Sequence, residues 1–466
     1  SLLTMLWAAK EIVRRCIARH ISVPPLTIGL DDVEKAYRTV AQMIAACAFV
    51  IWYSFVAACW VVQRIFGHAY GHAQANINFS RLPRLACYVT LVMFLVLVWH
   101  YIDDFMNIDL ACGGGTAQLC LETVMLGFGW RLDVLKKRKP NAPSNKVLGA
   151  HLDVSGVHTA AASATAEPDA EKADALLSRL RECKARGTCD SSEAAEIVGQ
   201  GNWMASTLHG RSGAAALQPF MQRQREDVNV WTNAMSGSLE LLAFFLSPMM
   251  RDSLRLTVEM NPALILCLLL YSDASFRWIG VPSPDGQYWM AVPFAIVCWW
   301  VVDQRDHSTT YAYMIVPLSY FRHFSAHEQT YIAQVEMVAL VSALYSRPDL
   351  FAGRHVIAHI DNATALSAII NGYASRPEMA QLVNLYHVAR AALRSVFWSA
   401  YVASKANLAD IPTRMERESE IPAGIPQSEF VLAPLDWDAV TLIGWALELM
   451  ERTQALAGAQ GAQSEA

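Results

Sequence analysis

The sequence has no C-x-x-C pair and no His/Cys spacing of a zinc finger, although it holds ten cysteines. That excludes the common structural zinc modules, and reduced structural thiols are expected, with Cys183 and Cys189 the nearest couple. Charge is also scarce, at 17% of residues with a net charge of −5, which excludes a globally basic nucleic-acid binder but not a local basic groove. No N-terminal signal peptide is visible, and no internal repeat points to a solenoid. The chain opens on Ser1 inside apparent structure, so a fragment or an incomplete gene product is expected.

Apolar residues are plentiful, at 54%, with a mean hydropathy of +0.23. Residues 39–63 and residues 85–102 carry no formal charge. Both stretches reach the length of a short membrane span, which keeps a polytopic membrane protein open as a reading. The first, with "FVIWYSFVAACWVV", is rich in β-branched and aromatic residues and equally fits two buried strands joined by a turn. With 466 residues there is room for two or three domains.

Composition changes along the chain. Residues 1–154 alternate apolar runs with short polar punctuation. From Ser155 to about Gln200 the composition turns to Ala, Glu, Lys and Arg, and two small solvated helices are expected there. One starts at Pro168-Asp169 and ends at Gly187; the other has Asp190 or Ser191 as cap and Glu193 near its third position. Residues 263–415 open with the apolar strand "ALILCLLLYSDAS" and form a third block. Residues 416–466 hold a Pro-rich connector, an amphipathic helix from about Trp437, and a Gly/Ala/Gln tail expected to be disordered.

Two sets of carboxylates stand out. In "GLDDVEKAYRTV", Asp32 lies five residues before Tyr37; seventy-one residues further on, "YIDDF" brings Asp103 and Asp104 together at the end of an apolar run. Adjacent buried carboxylates are costly unless neutralised, and bound divalent cations would supply that charge. In the third block, "LLLYSDASF" is expected to end a buried strand at Asp273, with a hairpin turn at Pro284-Asp285-Gly286. "YIAQVEMVALVSAL" sets Glu336 beside the apolar face of a helix. "HVIAHIDNATAL" ends a strand at Asp361 with Asn362 as the next cap, and "SKANLADIPTR" places Asp410 at a late helix start. Strand ends gather side chains at one sheet edge, which suits a shared metal site. Taken singly, Glu336 fits a core flank, and Asp361 and Asp410 fit helix caps. His68 and His72, four apart, lack the carboxylate of a zinc enzyme, and "KKRK" at residues 136–139 reads equally as a solvated face or as phosphate contacts.

In this order the motifs resemble the reverse transcriptases of retroelements, of the DIRS-like or LTR kind. "DVEKAYRTV" resembles the first metal motif of the palm, "FGHAYGHAQANINFSR" its middle loop, "YIDDF" the Y-x-D-D box, and residues 126–154 the closing segment with a Leu-Gly turn at Leu148-Gly149. "IDNATAL" and "SKANLADIPTR" resemble the ribonuclease H domain of the same elements. The resemblance implies a multidomain α+β and α/β chain. Residues 1–154 would be a palm with an antiparallel sheet, residues 155–262 a helical thumb and connection, and residues 263–415 a ribonuclease H-like domain with a mixed five-stranded sheet. It implies RNA-directed DNA synthesis and hydrolysis of the RNA strand of RNA·DNA hybrids, with RNA template, DNA primer and dNTPs as partners. By carry-over Asp32 and Asp103 bind metal with Asp104 beside them, Tyr37 excludes the ribonucleotide 2′-hydroxyl, and Phe66, Gly67 and Lys139 contact substrate. Asp273, Glu336, Asp361 and Asp410 hold two Mg²⁺, or Mn²⁺ in their place.

Three departures shape the expectations. The fingers are reduced to residues 1–28, the middle loop lacks a Pro near Phe66-Gly67, and no His stands near Asp410. A weaker polymerase half and a slow nuclease are therefore expected, acting inside the cell, in cytoplasm or nucleus. The alternatives left by the sequence are an inactive nucleic-acid-binding remnant and the membrane protein above.

Overall fold

The computed structural model describes the chain except residues 1, 35–48, 55–58, 65–74, 136, 160–162, 261–264, 286, 325–329, 436–437 and 465–466. Tyr37, Phe66, Gly67, His68 and His72 lie outside the described residues. The fold is mixed α/β and multidomain. It divides into two compact units, Ser1–Ala166 with Thr257–Pro262, and Glu167–Leu256 with Ala263–Ala466.

The first unit contains α1 (Leu2–Ala18), β1 (Leu26–Asp32), β2 (Phe49–Ser54), β3 (Cys59–Arg64), α2 (Ala75–Phe94), β4 (Leu97–Tyr101), β5 (Asp104–Leu110) and α3 (Thr116–Gly127). Short strands β6 (Lys139–Ala142), β7 (Ser144–Val147), β8 (Ala150–Asp153), β9 (Ser163–Pro168) and β10 (Leu256–Glu259) follow. One sheet has the order β4-β5-β1-β6, and all its pairings are antiparallel. A second has the order β10-β9-β8-β7. β2 and β3 pair antiparallel, so the described residues of the first apolar run lie in two paired strands. Among the described residues no helix is long and apolar enough to cross a membrane. The second run is divided between the end of α2 and strand β4, whose Val98 joins Ala86, Phe105 and Leu121 in the core of this unit. Leu148 and Gly149, both with positive φ (52° and 81°), make the two-residue turn between β7 and β8, the backbone a tight hairpin needs.

In the second unit come α4 (Ala170–Arg186), α5 (Ser191–Ser206), α6 (Gln218–Arg223), α7 (Asn233–Phe245) and α8 (Pro248–Leu254). Asp169 caps α4, which ends on Gly187 at φ 72°, and Asp190 with Glu193 forms a full capping box on α5. These helices are not merely solvated. Leu176, Leu177, Leu180 and Ile197 are buried in the main core. Nor is the 155–262 segment wholly helical, since β9 and β10 lie near its two ends. Asp190→Ala should cost about 1 kcal/mol through the lost cap, read as a lower urea midpoint.

The same unit continues with β11 (Leu268–Pro282), β12 (Trp289–Asp303), β13 (Thr309–Ile315), α9 (Ile332–Ser346), α10 (Pro348–Phe351), β14 (His355–Ile360), α11 (Ala363–Asn371), α12 (Pro377–Ala392), β15 (Val396–Tyr401), α13 (Asp410–Thr413) and α14 (Ala439–Ser464). The sheet is five-stranded and mixed, in the order β13-β12-β11-β14-β15. β11–β12 and β12–β13 pair antiparallel, β11–β14 and β14–β15 parallel. The long interval between Asp273 and Glu336 holds the rest of β11, β12, β13 and a 3₁₀ turn at Leu318–His323. α9 is buried from Gln334 to Leu344, which makes it the central helix of the domain. The tail expected to be disordered continues α14 to Ser464. Its Ala and Gln residues are good helix formers, and they outnumber its glycines.

Candidate active site

β11 and β14 run parallel, with Ser272 opposite Ile360. The residues that follow, Asp273 and Asp361, are therefore brought to one level of the sheet. Glu336 reaches them from α9, and oxygens of the three carboxyl groups lie within 4.8 Å of one another. Contrary to expectation, Asp273 does not end its strand. β11 continues to Pro282 because β12 keeps pairing with it after β14 has stopped, and the site sits at the step between a short strand and a long one.

Asp273 and Glu336 are each 4% exposed. Glu336 Oε2 and Asp361 Oδ1 are buried and have no hydrogen-bond partner. Burial, then the neighbouring charges of Asp361 and Asp410, pushes Asp273 up to about 7 against the pull of the Thr413 hydroxyl. Burial first, then Asp273 and Asp361, pushes Glu336 up to about 10. Crowded, desolvated carboxyls of this kind ask for a cation.

Asp410 begins α13 as expected, but its carboxylate is outside the three-acid group. Arg414 donates to Oδ1 at 2.8 Å and Arg417 to Oδ2 at 2.5 Å. Three further contacts tie this segment to β11. Thr413 Oγ1 donates to Asp273 Oδ2, Ser275 Oγ to the Thr413 carbonyl at 2.9 Å, and Asn407 Nδ2 to the Ser272 carbonyl at 2.9 Å. The signal for Thr413 and Asn407 stood in "ANLADIPTR" itself, as small polar residues around a carboxylate, but nothing in the spacing named their partners.

In the first unit, Asp32 lies at the end of β1 opposite Asp104 on β5, and Asp103 occupies the β4–β5 turn. Ile102 in that turn has φ 56°, a strained setting for a β-branched residue. Among the described residues these three acids do not form a close three-oxygen group. Lys137 Nζ lies 2.5 Å from Asp32 Oδ2, while Asp32 Oδ1 is buried without a partner. Asp104 is pushed up to about 6 by burial, then by Asp103 and Asp32, with Lys137 and Lys139 opposing. The Lys137 ammonium thus offsets part of the negative charge at Asp32.

Within the basic run, Lys137 is exposed while Arg138 and Lys139 are half-buried and held by partners. Arg138 pairs with buried Asp31 at 2.5 Å and with Glu122 at 3.0 Å, and Lys139 donates to the Lys146 carbonyl at 2.7 Å. Gln118 completes the Asp31 setting with a 3.1 Å hydrogen bond. The sequence carries no signal that pairs Asp31 with Arg138, since one is half of an adjacent acid pair and the other stands in a run of like charge 107 residues away.

A second potential grouping, Cys183, Cys189 and Glu193, is already explained by its contacts. Glu193 gives one oxygen to Arg186 and the other to the Asp190 amide, and both thiols are buried and shifted up by burial. They are reduced core residues.

No family model and no curated protein matches the sequence. Among solved structures, the chain is similar to the foamy viral protease-reverse transcriptase dRH in complex with double-stranded DNA, at TM-score 0.40 and 14% identity, over 82% of this chain and 57% of that one. It is also similar to the foamy viral protease-reverse transcriptase in complex with RNA/DNA hybrid, at TM-score 0.38 and 14% identity, over 86% and 46%. The chain spans about half the length of these two proteins.

Proposed function

We propose that this chain is the reverse transcriptase and ribonuclease H portion of a retroelement, and that its nuclease site hydrolyses the RNA strand of RNA·DNA hybrids. One observation carries the reading: Asp273, Glu336 and Asp361 come from three separate elements to one buried point, with oxygens left unpartnered there. The donors are all carboxylate oxygens, which suits Mg²⁺ or Mn²⁺ and not a thiolate-seeking metal. Asp273, Glu336 and Asp361 would hold the cation, with Asp410 as a fourth acid. Bound there, such cations polarise a phosphodiester and make a nucleophile of water near neutral pH. The protein's own part is to fix Asp273 through Thr413, to bury Glu336 on a rigid helix, and to keep bulk water from the acids.

In the same reading residues 1–154 are the palm, 155–262 the thumb and connection, 263–415 the nuclease domain, and 416–466 a C-terminal extension. Asp32, Asp103 and Asp104 serve the polymerase chemistry. Tyr37 selects deoxyribonucleotides, and Phe66, Gly67 and Lys139 face the substrate. RNA template, DNA primer and dNTPs are the partners, in cytoplasm or nucleus.

Incubation of the chain with a labelled hybrid tests the proposal. Cleavage of the RNA strand with Mg²⁺, abolished by chelation, is expected; a folded chain that leaves the hybrid intact with both Mg²⁺ and Mn²⁺ overturns it. A second reading, a polymerase half that only binds nucleic acid, is favoured by Lys137 resting on Asp32. Primer extension on RNA should accordingly be poor, and robust processive synthesis by this chain would contradict that view. Any extension seen should vanish with Asp103→Asn and lose its discrimination against ribonucleotides with Tyr37→Ala.

A further inference from the structure

The nuclease reading leaves two arginines without a role. Arg414 places both Nε and Nη2 at 2.8 Å from Asp410 Oδ1. Arg417 spreads further, with Nη1 on Asp410 Oδ2, and Nε and Nη2 on the two oxygens of Glu420 at 3.0 and 2.8 Å. The carboxylate they grip is 7% exposed, whereas the side chains of Arg414 and Arg417 are 51% and 31% exposed. The arginines therefore stand on the solvent side of the acid, where a polyanionic backbone would arrive. Their charge is offset by a carboxylate that belongs to the catalytic set by position. Asp410 acts electrostatically on both Asp273 and Glu336, and its segment is fastened to β11 through Thr413, Ser275 and Asn407.

A guanidinium fork fits carboxylate and phosphate alike, so exchanging one for the other keeps the charge balance and the hydrogen-bond count. We propose that Arg414 and Arg417 are the phosphodiester clamp of this site. They rest on Asp410 until the hybrid backbone takes them, and the transfer frees Asp410 to join Asp273, Glu336 and Asp361 around the cation. The inference rests on the nuclease reading above. It makes the two arginines positioning residues that couple substrate binding to completion of the cation site, and it accounts for an acid of the set lying outside the three-oxygen group.

Coupling of this kind predicts opposite shifts from one substitution. Mn²⁺ binding to the chain alone is measured by calorimetry, and binding of a labelled RNA·DNA hybrid is measured across a salt series in Ca²⁺. Arg414→Gln and Arg417→Gln should each tighten Mn²⁺ binding by roughly tenfold, because each frees one oxygen of Asp410 and takes a positive charge from the site. Each should also weaken hybrid binding and lower the salt slope by about one. Arg417→Lys keeps the charge and loses the fork, so it should retain the salt slope while still weakening the hybrid. Mn²⁺ affinity that is unchanged or weaker in both glutamine variants, or hybrid binding that ignores them, overturns the clamp. If the unsubstituted chain cleaves the hybrid while the variants behave so, the clamp alone fails. If the unsubstituted chain shows no metal-dependent cleavage, the nuclease reading fails with it.

Discussion

Replacing Asp273 with Asn is expected to lower Mg²⁺-dependent cleavage of a hybrid by about a thousandfold or more, with the hybrid's Kd changed by no more than about threefold. The amide preserves shape and leaves Thr413 a hydrogen-bond acceptor, so the local fold should hold. What it removes is one negative charge from a site where, in the proposed function, three acids would share a cation, and the loss would fall on the chemical step. Binding should survive because the substitution removes no cationic group that would meet phosphate. Asp361→Asn should behave likewise. The double variant should be little worse than either single one, since ligands of one centre act as a unit. Asp103→Asn should leave cleavage intact, because that residue belongs to the other compact unit. Single-turnover cleavage rates beside a fluorescence-anisotropy titration make the comparison. Near-normal rates for Asp273→Asn would mean that the cluster is only a buried structural feature.

The legible part of this site was the part written in periodicity. Strand alternation into "YSDAS" and "AHIDN", and helical spacing around Glu336, place three acids on elements whose order allows them to meet. Asp410 was legible as a helix start, but its arginine partners lie four and seven residues on, within a charge run that looks like any solvated turn. The point where β11 stops mattering to the site was not legible, because its apolar alternation runs on past Asp273. Whether a neighbour ends early is a property of β14, not of β11. The same blindness hid the use of "KKRK". A run of like charge says that the residues want counter-charge, and the fold supplied it from Asp32, Asp31 and Glu122. The capping signals at Asp169, Gly187 and Asp190 are legible because a cap is a local arrangement of one residue and the free amides or carbonyls at a helix end, independent of tertiary context.

Glu336→Gln should make the cation-free protein more stable, by about 2 kcal/mol at pH 8, while abolishing activity. The sign follows from the shifts. Glu336 and Asp273 have folded-state values near 10 and 7, above those of an unfolded chain, so the folded state holds protons that the unfolded state has lost. Their contribution to stability is complete below about pH 4 and declines as pH rises, through about 7 for Asp273 and on towards 10 for Glu336. The advantage of Gln should therefore be absent at pH 4 and grow towards pH 8. Buried His209, held down to about 3 by burial and then by Arg390, works in the other direction, losing stability as pH falls below about 6.5. It is common to both proteins and drops out of their difference. Saturating Mg²⁺ should reverse the order, because a cation at about a hundred times its Kd stabilises the native chain by roughly 2.7 kcal/mol and has a poorer site in the variant. Urea midpoints at pH 4, 6 and 8, with chelator and with Mg²⁺, expose the crossover. A Gln variant less stable than the native protein at pH 8 in chelator would show that Glu336 holds the helix in place rather than straining it.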